Sequence, residues 1–223
     1  MQKHKVNVPS VEEFSQPTSR KGFFKALAVA GMGAAVGSTV LAGRATAQGD
    51  GGGGDLEIAN FALTLEYLEA EFYQLALDAG VLSEPALSQV AAVGDHENQH
   101  VEALIGLITE AGGTPVEKPE FTFPADAFTS EASILALAST FEPVGVGAYL
   151  GAGVLIQDPA VLAAAGSIVA VEGQHVVAFN NLLGVVPPAN DPFPAALTQD
   201  EVLAAIAPFL GMGEMMDTGG QAL

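Results

Sequence analysis

The 223-residue sequence contains no cysteine and no tryptophan, and only seven lysines and arginines against 26 aspartates and glutamates. Without cysteine, disulfides and thiolate metal sites are excluded, so any bound metal must take oxygen and nitrogen ligands. The shortage of positive charge is sharper than the count. Six of the seven basic residues, Lys3, Lys5, Arg20, Lys21, Lys25 and Arg44, precede residue 45, and only Lys118 follows them. From Gln48 onward 24 acids face one lysine, a formal charge of −23. Such a surface repels nucleic acid and anionic lipid, which excludes nucleic acid as a partner. Charge of this size favours solubility, and it also attracts metal cations. With 49% apolar residues the chain is long enough for one domain with a sizeable core.

The basic residues that do exist mark the N-terminus as an address. Residues 1–47 read as an export signal. Ser19-Arg20-Lys21-Gly22-Phe23-Phe24-Lys25 is similar to the twin-arginine consensus, with Lys in place of the second Arg. A mildly hydrophobic, Ala- and Gly-rich segment from Ala26 to Gly43 follows, then Arg44 and the small-x-small cleavage site Ala45-Thr46-Ala47. The expectation is a protein exported across the cytoplasmic membrane, with no stable membrane insertion once the signal is removed. The twin-arginine resemblance implies export of a folded chain with its cofactor already loaded.

Gln48 to Gly54 reads as a flexible Gly-rich linker. A helical pattern runs from Asp55 to about Ala79, with Phe61, Leu65, Leu68, Phe72 and Leu75 at spacings of three and four, and stops at Gly80. Ser83 reads as the N-cap of a second helix, with Pro85 in its first turn and Gly112-Gly113 at its end. Residues 112–128 carry Pro115, Pro119 and Pro124 and read as a loop. Thr129 or Ser130 caps a third helix to about Ile156. Asp158 and Pro159 open a fourth, which ends at Gly184. Residues 185–223 form a Pro-rich connection, a short fifth helix from Thr198 to about Leu210, and a Gly- and Met-rich tail. Two connections are short enough for antiparallel hairpins. The loop of about 17 residues between the hairpins reaches roughly 55 Å when extended. A 25-residue helix is roughly 38 Å long, so this loop can run the length of the bundle and set the third helix parallel to the second.

One pattern occurs twice. Glu97-Asn98-Gln99-His100 and Glu172-Gly173-Gln174-His175 share Glu-x-Gln-His. Each follows a Thr-x-Glu segment with a tyrosine seven residues after the Glu: Thr64-Leu65-Glu66 with Tyr73, and Thr140-Phe141-Glu142 with Tyr149. Glu66 to Glu97 is 31 residues and Glu142 to Glu172 is 30. Both motifs interrupt apolar seams, Val90, Val93, Glu97, His100, Leu104, Leu107 and Ala165, Ile168, Glu172, His175, Phe179, Leu182. Glu142 falls on a seam with Ala138, Tyr149 and Gly153, and Glu66 lies near the centre of its helix beside Leu65, so four carboxylates converge on a core. Buried carboxylates need a partner, and none of the four helices contains Lys or Arg. Two divalent cations carry +4 and balance four glutamates, and the two imidazoles complete the coordination spheres. Glutamate and histidine suit iron or manganese. Glu69, one turn from Glu66, is the rival first ligand. The repeat favours Glu66, because Glu142 aligns with it while Gly145 aligns with Glu69. His96 has no counterpart in the second copy, where Val171 stands, and reads as a neighbour of the site or a surface residue. Pro143 removes a backbone donor inside the third helix and should kink or bulge it, either re-aiming Glu142 or merely aiding close contact. Gly145, Gly147, Gly151 and Gly153 permit close packing in the same helix.

Over residues 56–184 these stretches resemble the ferritin-like superfamily of di-iron and di-manganese carboxylate proteins, most of all the bacterial branch that includes desiccation-related proteins. They are Leu63 to Tyr73, His96 to Val101, Gly145 to Ala152 and Val171 to His175. The resemblance implies an all-α fold, a ferritin-like four-helix bundle over 55–184 with one long crossover and a short fifth C-terminal helix. It implies Glu66 and Glu142 as terminal or semi-bridging ligands, Glu97 and Glu172 as bridges, and His100 and His175 as ligands of one metal each. Tyr73 and Tyr149 would lie near the metals as hydrogen-bond or electron donors, or simply pack there. The functions implied are Fe(II) or Mn(II) oxidation or peroxide removal in oxidative or desiccation stress, with dioxygen or peroxide as co-substrate. A non-enzymatic role, in which the metals staple the bundle, is the alternative. Iron storage ranks third, and a homo-oligomer is compatible with all three.

Overall fold

The computed structural model describes residues 51–189 and 191–211. The export signal expected at 1–47 and the methionines of the tail, Met212, Met215 and Met216, lie outside the described residues. Among the described residues five α-helices follow in order: α1 (Gly51–Asp78), α2 (Ala86–Glu110), α3 (Glu131–Gly153), α4 (Pro159–Leu182) and the short α5 (Gln199–Ile206), with a 3₁₀ turn at Ala207–Phe209. No strand occurs among the described residues; a single bridge pairs Phe121 with Leu210.

Local chemistry sets most boundaries. Ser130 caps α3, its hydroxyl accepting from the Ser133 amide; Asp158 caps α4 ahead of Pro159; Thr198 caps α5 in a reciprocal pair with Glu201. At the C-terminal ends, Gly112 and Gly184 take positive φ of 81° and 72°. This lets the next amide reach back, Gly113 N–H to the Ile108 carbonyl and Val185 N–H to the Asn180 carbonyl.

Two expectations are corrected. Ser83 does not cap α2; the N-cap residue is Pro85, with no side-chain cap. The Ser83 hydroxyl and amide instead both donate to Glu131 Oε2 at 2.7 Å, tying the first hairpin to the start of α3. Donation to a charged acceptor 48 residues away aims the hydroxyl at α3 instead of at the first amides of α2. Residues 51–54 of the expected linker continue α1, since extending a nucleated helix requires no new nucleus. Asp55, only 5% exposed, anchors this end: its carboxylate accepts from the amides of Gln157 and Asp158 at 3.0 and 2.7 Å.

The hairpins are α1–α2 and α3–α4, and α1 also touches α3 while α2 touches α4. Side-chain pairs give the directions. Tyr149 meets Glu66 and Tyr73 meets Glu142, so moving forward along α1 moves backward along α3. Helices α1 and α3 are antiparallel, which makes α2 and α3 parallel, as the long crossover requires. Apolar clusters occupy the two ends. Phe72, Val90, Ile134, Phe141 and Phe179 fill one; Leu63, Leu104, Ile108 and Ile168 fill the other. The polar residues of the motifs form a layer between them.

Helix α3 runs unbroken through Pro143, which faces solvent, where the carbonyl it leaves unpaired is open to hydration. Two of its glycines do not serve contact within the bundle. A methyl group on Gly147 would lie 2.5 Å from Leu197 Cγ, and one on Gly151 would lie 1.8 Å from the Leu197 carbonyl oxygen. The chain leading into α5 lies flat on this face, with Leu197 N–H donating to the Gly147 carbonyl at 2.9 Å. Helices α3 and α4 are also long and apolar enough to span a bilayer by length and composition alone. Each carries a fully buried glutamate at the bundle centre.

Candidate metal centre

Each helix delivers its polar residues to the central layer through the heptad-like spacing of its seam. Glu66, Glu97, Glu142 and Glu172 are all 0% exposed, and His175 and His100 are 2% and 9% exposed. They form two groups that share two members. Glu66, Glu97, His100 and Glu172 bring one ligand atom each within 4.8 Å of one another; so do Glu97, Glu142, Glu172 and His175. Glu97 and Glu172 thus stand between two positions. Glu66 with His100 closes one, and Glu142 with His175 closes the other.

Three carboxylates converge on each histidine nitrogen. Around His100 Nδ1 lie Glu97 Oε2 at 2.9 Å, Glu66 Oε2 at 3.1 Å and Glu172 Oε1 at 3.3 Å. Around His175 Nδ1 lie Glu97 Oε1 at 2.9 Å, Glu142 Oε2 at 3.1 Å and Glu172 Oε2 at 3.9 Å. One ring nitrogen carries at most one proton, yet three carboxylates converge on it. Glu97 Oε1 and both oxygens of Glu172 are buried with no aligned donor at all. Buried carboxyl oxygens without a hydrogen-bond partner could be satisfied by a cation. The buried carboxylate and imidazole donors fit hard or borderline divalent ions.

The carboxyls of this layer outnumber its imidazoles, and burial sets most of their protonation. Burial pushes the Glu66 carboxyl up to about 7 against the pull of His100. Burial, then neighbouring carboxylates, hold Glu172 and Glu69 well above the usual range, and burial raises Glu142. Glu97 goes the other way: burial would raise it, but the adjoining His100 and His175 imidazoles bring it down to about 2. For the imidazoles burial opposes charge and is outweighed by the carboxylates, so His100 rises to about 12 and His175 to about 10.

The tyrosines sit in this layer, but not as their spacing in sequence suggests. Each donates to the carboxylate of the other repeat: Tyr73 to Glu142 Oε1, and Tyr149 to Glu66 Oε1. The antiparallel register of α1 and α3 causes the exchange. Burial, then the carboxylate each one touches, pushes both phenols well above their ordinary range, so both are hydroxyl donors.

Two residues break the symmetry of the repeats. Glu69 is 4% exposed and lies outside both groups. The space a side chain at Gly145 would need is occupied by Glu172 Oε2 and Glu69 Oε1, 3.0 and 3.3 Å from where its Cβ would be. The glycine aligned with Glu69 is thus the one that makes room for it. His96 is half-buried, and its Nδ1 lies 3.0 Å from His175 Nε2, with ring centroids 5.2 Å apart and planes at 19°. Only the mismatch of His96 with Val171 in the repeat alignment marked it in the sequence.

A family model described as a ferritin-like domain matches residues 54–185. Among solved structures, a conserved hypothetical protein, rv2844, from Mycobacterium tuberculosis aligns at a TM-score of 0.53 with 19% identity, over 66% of this chain and 99% of that one. At that identity the likeness concerns the fold. No curated protein matches this chain. With the helical bundle, its crossover and the match over most of the bundle together, this chain belongs to the ferritin-like domain family.

Proposed function

We propose that the bundle holds two divalent ions, iron or manganese, and acts as an exported redox protein in protection against oxidative or desiccation stress. The observation that carries the reading is the sharing of Glu97 and Glu172 between two four-residue groups. Glu66 and His100 would complete the first position, Glu142 and His175 the second, with four carboxylates balancing the charge of two divalent cations. Such an ion pair supplies one-electron steps toward dioxygen or peroxide. The chain's own residues bind and orient. Tyr149 and Tyr73 fix the outer oxygens of Glu66 and Glu142, leaving the other oxygen of each directed at the histidines. The apolar clusters at either end exclude bulk water. An apolar cavity of about 30 Å³, bounded by Ala59, Ala62, Leu104, Ala148, Tyr149 and Ala165, reaches the tyrosine that holds Glu66. It has room for about one or two water-sized molecules, which supports a small oxidant as co-substrate. The signal-like segment at 1–47 supports action outside the cytoplasm.

The complete burial of the four glutamates also favours a second reading, in which the metals only staple the bundle. Anaerobic Fe(II) loading followed by oxygen or peroxide, monitored by absorbance, separates the two. Repeated turnover is expected of the redox protein. A loaded protein that gains thermal stability but consumes neither oxidant would establish the staple.

A further inference from the structure

The two metal positions are built from a repeated unit, yet one imidazole has a partner that the other lacks. His175 Nδ1 faces Glu97, Glu142 and Glu172. To bind a cation there, that nitrogen must offer its lone pair, and the ring's proton must then reside on Nε2. A buried N–H without an acceptor costs its desolvation. His96 Nδ1, 3.0 Å away, is the acceptor. It accepts when its own proton sits on Nε2, so one hydrogen bond fixes the tautomers of both rings. The rings lie edge to edge and only 19° from coplanar, which keeps the N–H of one in line with the lone pair of the other. His100 faces its three carboxylates in the same way. Its Nε2, however, has no side-chain partner among the described residues, and the place equivalent to His96 belongs to Val171, which cannot accept.

We propose that His96 is a positioning residue for His175, and that it makes the Glu142–His175 position the tighter of the two metal positions. The inference rests on the two-metal reading above. A partner that orients a metal-binding histidine is worth roughly 10–100-fold in affinity, so the two positions fill in sequence, with that of His175 first. Glu69 is a separate break in the repeat: its carboxyl lies beside Gly145 and the shared Glu172 and has no counterpart in the other half.

The test is titration of the metal-free full-length protein with Mn(II), the free ion being counted by electron paramagnetic resonance. Wild type is compared with His96→Phe, which keeps a flat ring but no acceptor, and His96→Asn, whose side-chain oxygen can accept from Nε2–H. Wild type is expected to bind two ions in distinguishable steps. His96→Phe should weaken the tighter step roughly 10–100-fold and leave the other within about threefold, and His96→Asn should recover most of the loss. Equal weakening of both steps, no weakening, or a His96→Asn variant as impaired as His96→Phe would overturn the proposal. Helix content and melting of the metal-free variants separate a folding defect from a binding defect, and Asn carries the test if Phe unfolds the bundle. Fewer than two ions on wild type would overturn the two-metal reading itself. Two ions with no response to His96 would overturn only the positioning role.

Discussion

Raising the pH of the metal-free protein from 4.5 to 8 is expected to destabilise it, and metal loading is expected to reverse that dependence. Glu66 gives the magnitude. Its folded pKa is about 7 against an ordinary 4.5, because burial outweighs its contact with His100. A carboxyl raised in this way holds a proton in the folded state that the unfolded chain has released. Its contribution is fully present below 4.5 and is lost as the pH rises through 7. A shift of this size corresponds to about 3 kcal/mol, or a fall in Tm of roughly 6–12 °C for a domain of this length. Glu69, Glu142 and Glu172 are shifted in the same direction. His100 and His175, raised from 6.5 to about 12 and about 10, add losses as the pH climbs above 6.5. Glu97, lowered to about 2, acts only in acid: its contribution is present above 4.5 and lost as the pH falls toward 2. The metal-free bundle is therefore most stable near pH 4.5. Metal ligation needs deprotonated carboxylates and neutral imidazoles, so the stabilisation of the loaded protein grows with pH. Thermal unfolding of chelator-treated and metal-loaded protein across this interval, followed by circular dichroism, reads both trends. A flat or rising Tm for the metal-free protein would refute the reasoning, because it would mean that these acids are solvated or otherwise paired.

The glycines of α3 separate site effects from fold effects. Gly145→Ala places a methyl group 3.0 Å from Glu172 Oε2 and should weaken metal binding more than it lowers the metal-free Tm, as measured by titration and melting. Gly151→Ala meets backbone at 1.8 Å. It should lift the segment around Leu197 off α3, raise hydrogen exchange in α5 and destabilise the protein by about 1–3 kcal/mol, with both metals still bound. Glu69→Gln removes a buried acid that is outside both ligand groups. It should leave two ions per chain and raise the metal-free Tm at pH 8; loss of an ion would place Glu69 in the coordination sphere.

Much of this molecule is legible in its sequence where the determinants are local. Caps at Ser130, Asp158 and Thr198, glycine stops, and the apolar seams depend on residues within a turn or two, and the loop lengths then restrict the topology. The repeated spacing carried the six ligand candidates for the same reason: helical periodicity fixes which face a residue occupies. What the sequence does not carry is set by contacts between distant segments. Ser83 has the chemistry of a cap, but Glu131 reaches it across the bundle. The tyrosines exchange repeats because of the register of α1 against α3. Gly147 and Gly151 serve a chain segment that arrives only after the proline-rich connection. His96 shows its role only when α4 brings His175 Nε2 beside it.

The central claim is that two metal positions share Glu97 and Glu172. The most direct measurement is metal content per folded chain, by elemental analysis, for wild type, Glu66→Ala and Glu97→Ala prepared under the same metal supply. The account predicts two ions for wild type, one for Glu66→Ala, which removes a ligand of a single position, and fewer than one for Glu97→Ala, which removes a shared ligand. A Glu97→Ala protein with the metal content and melting temperature of wild type would contradict it.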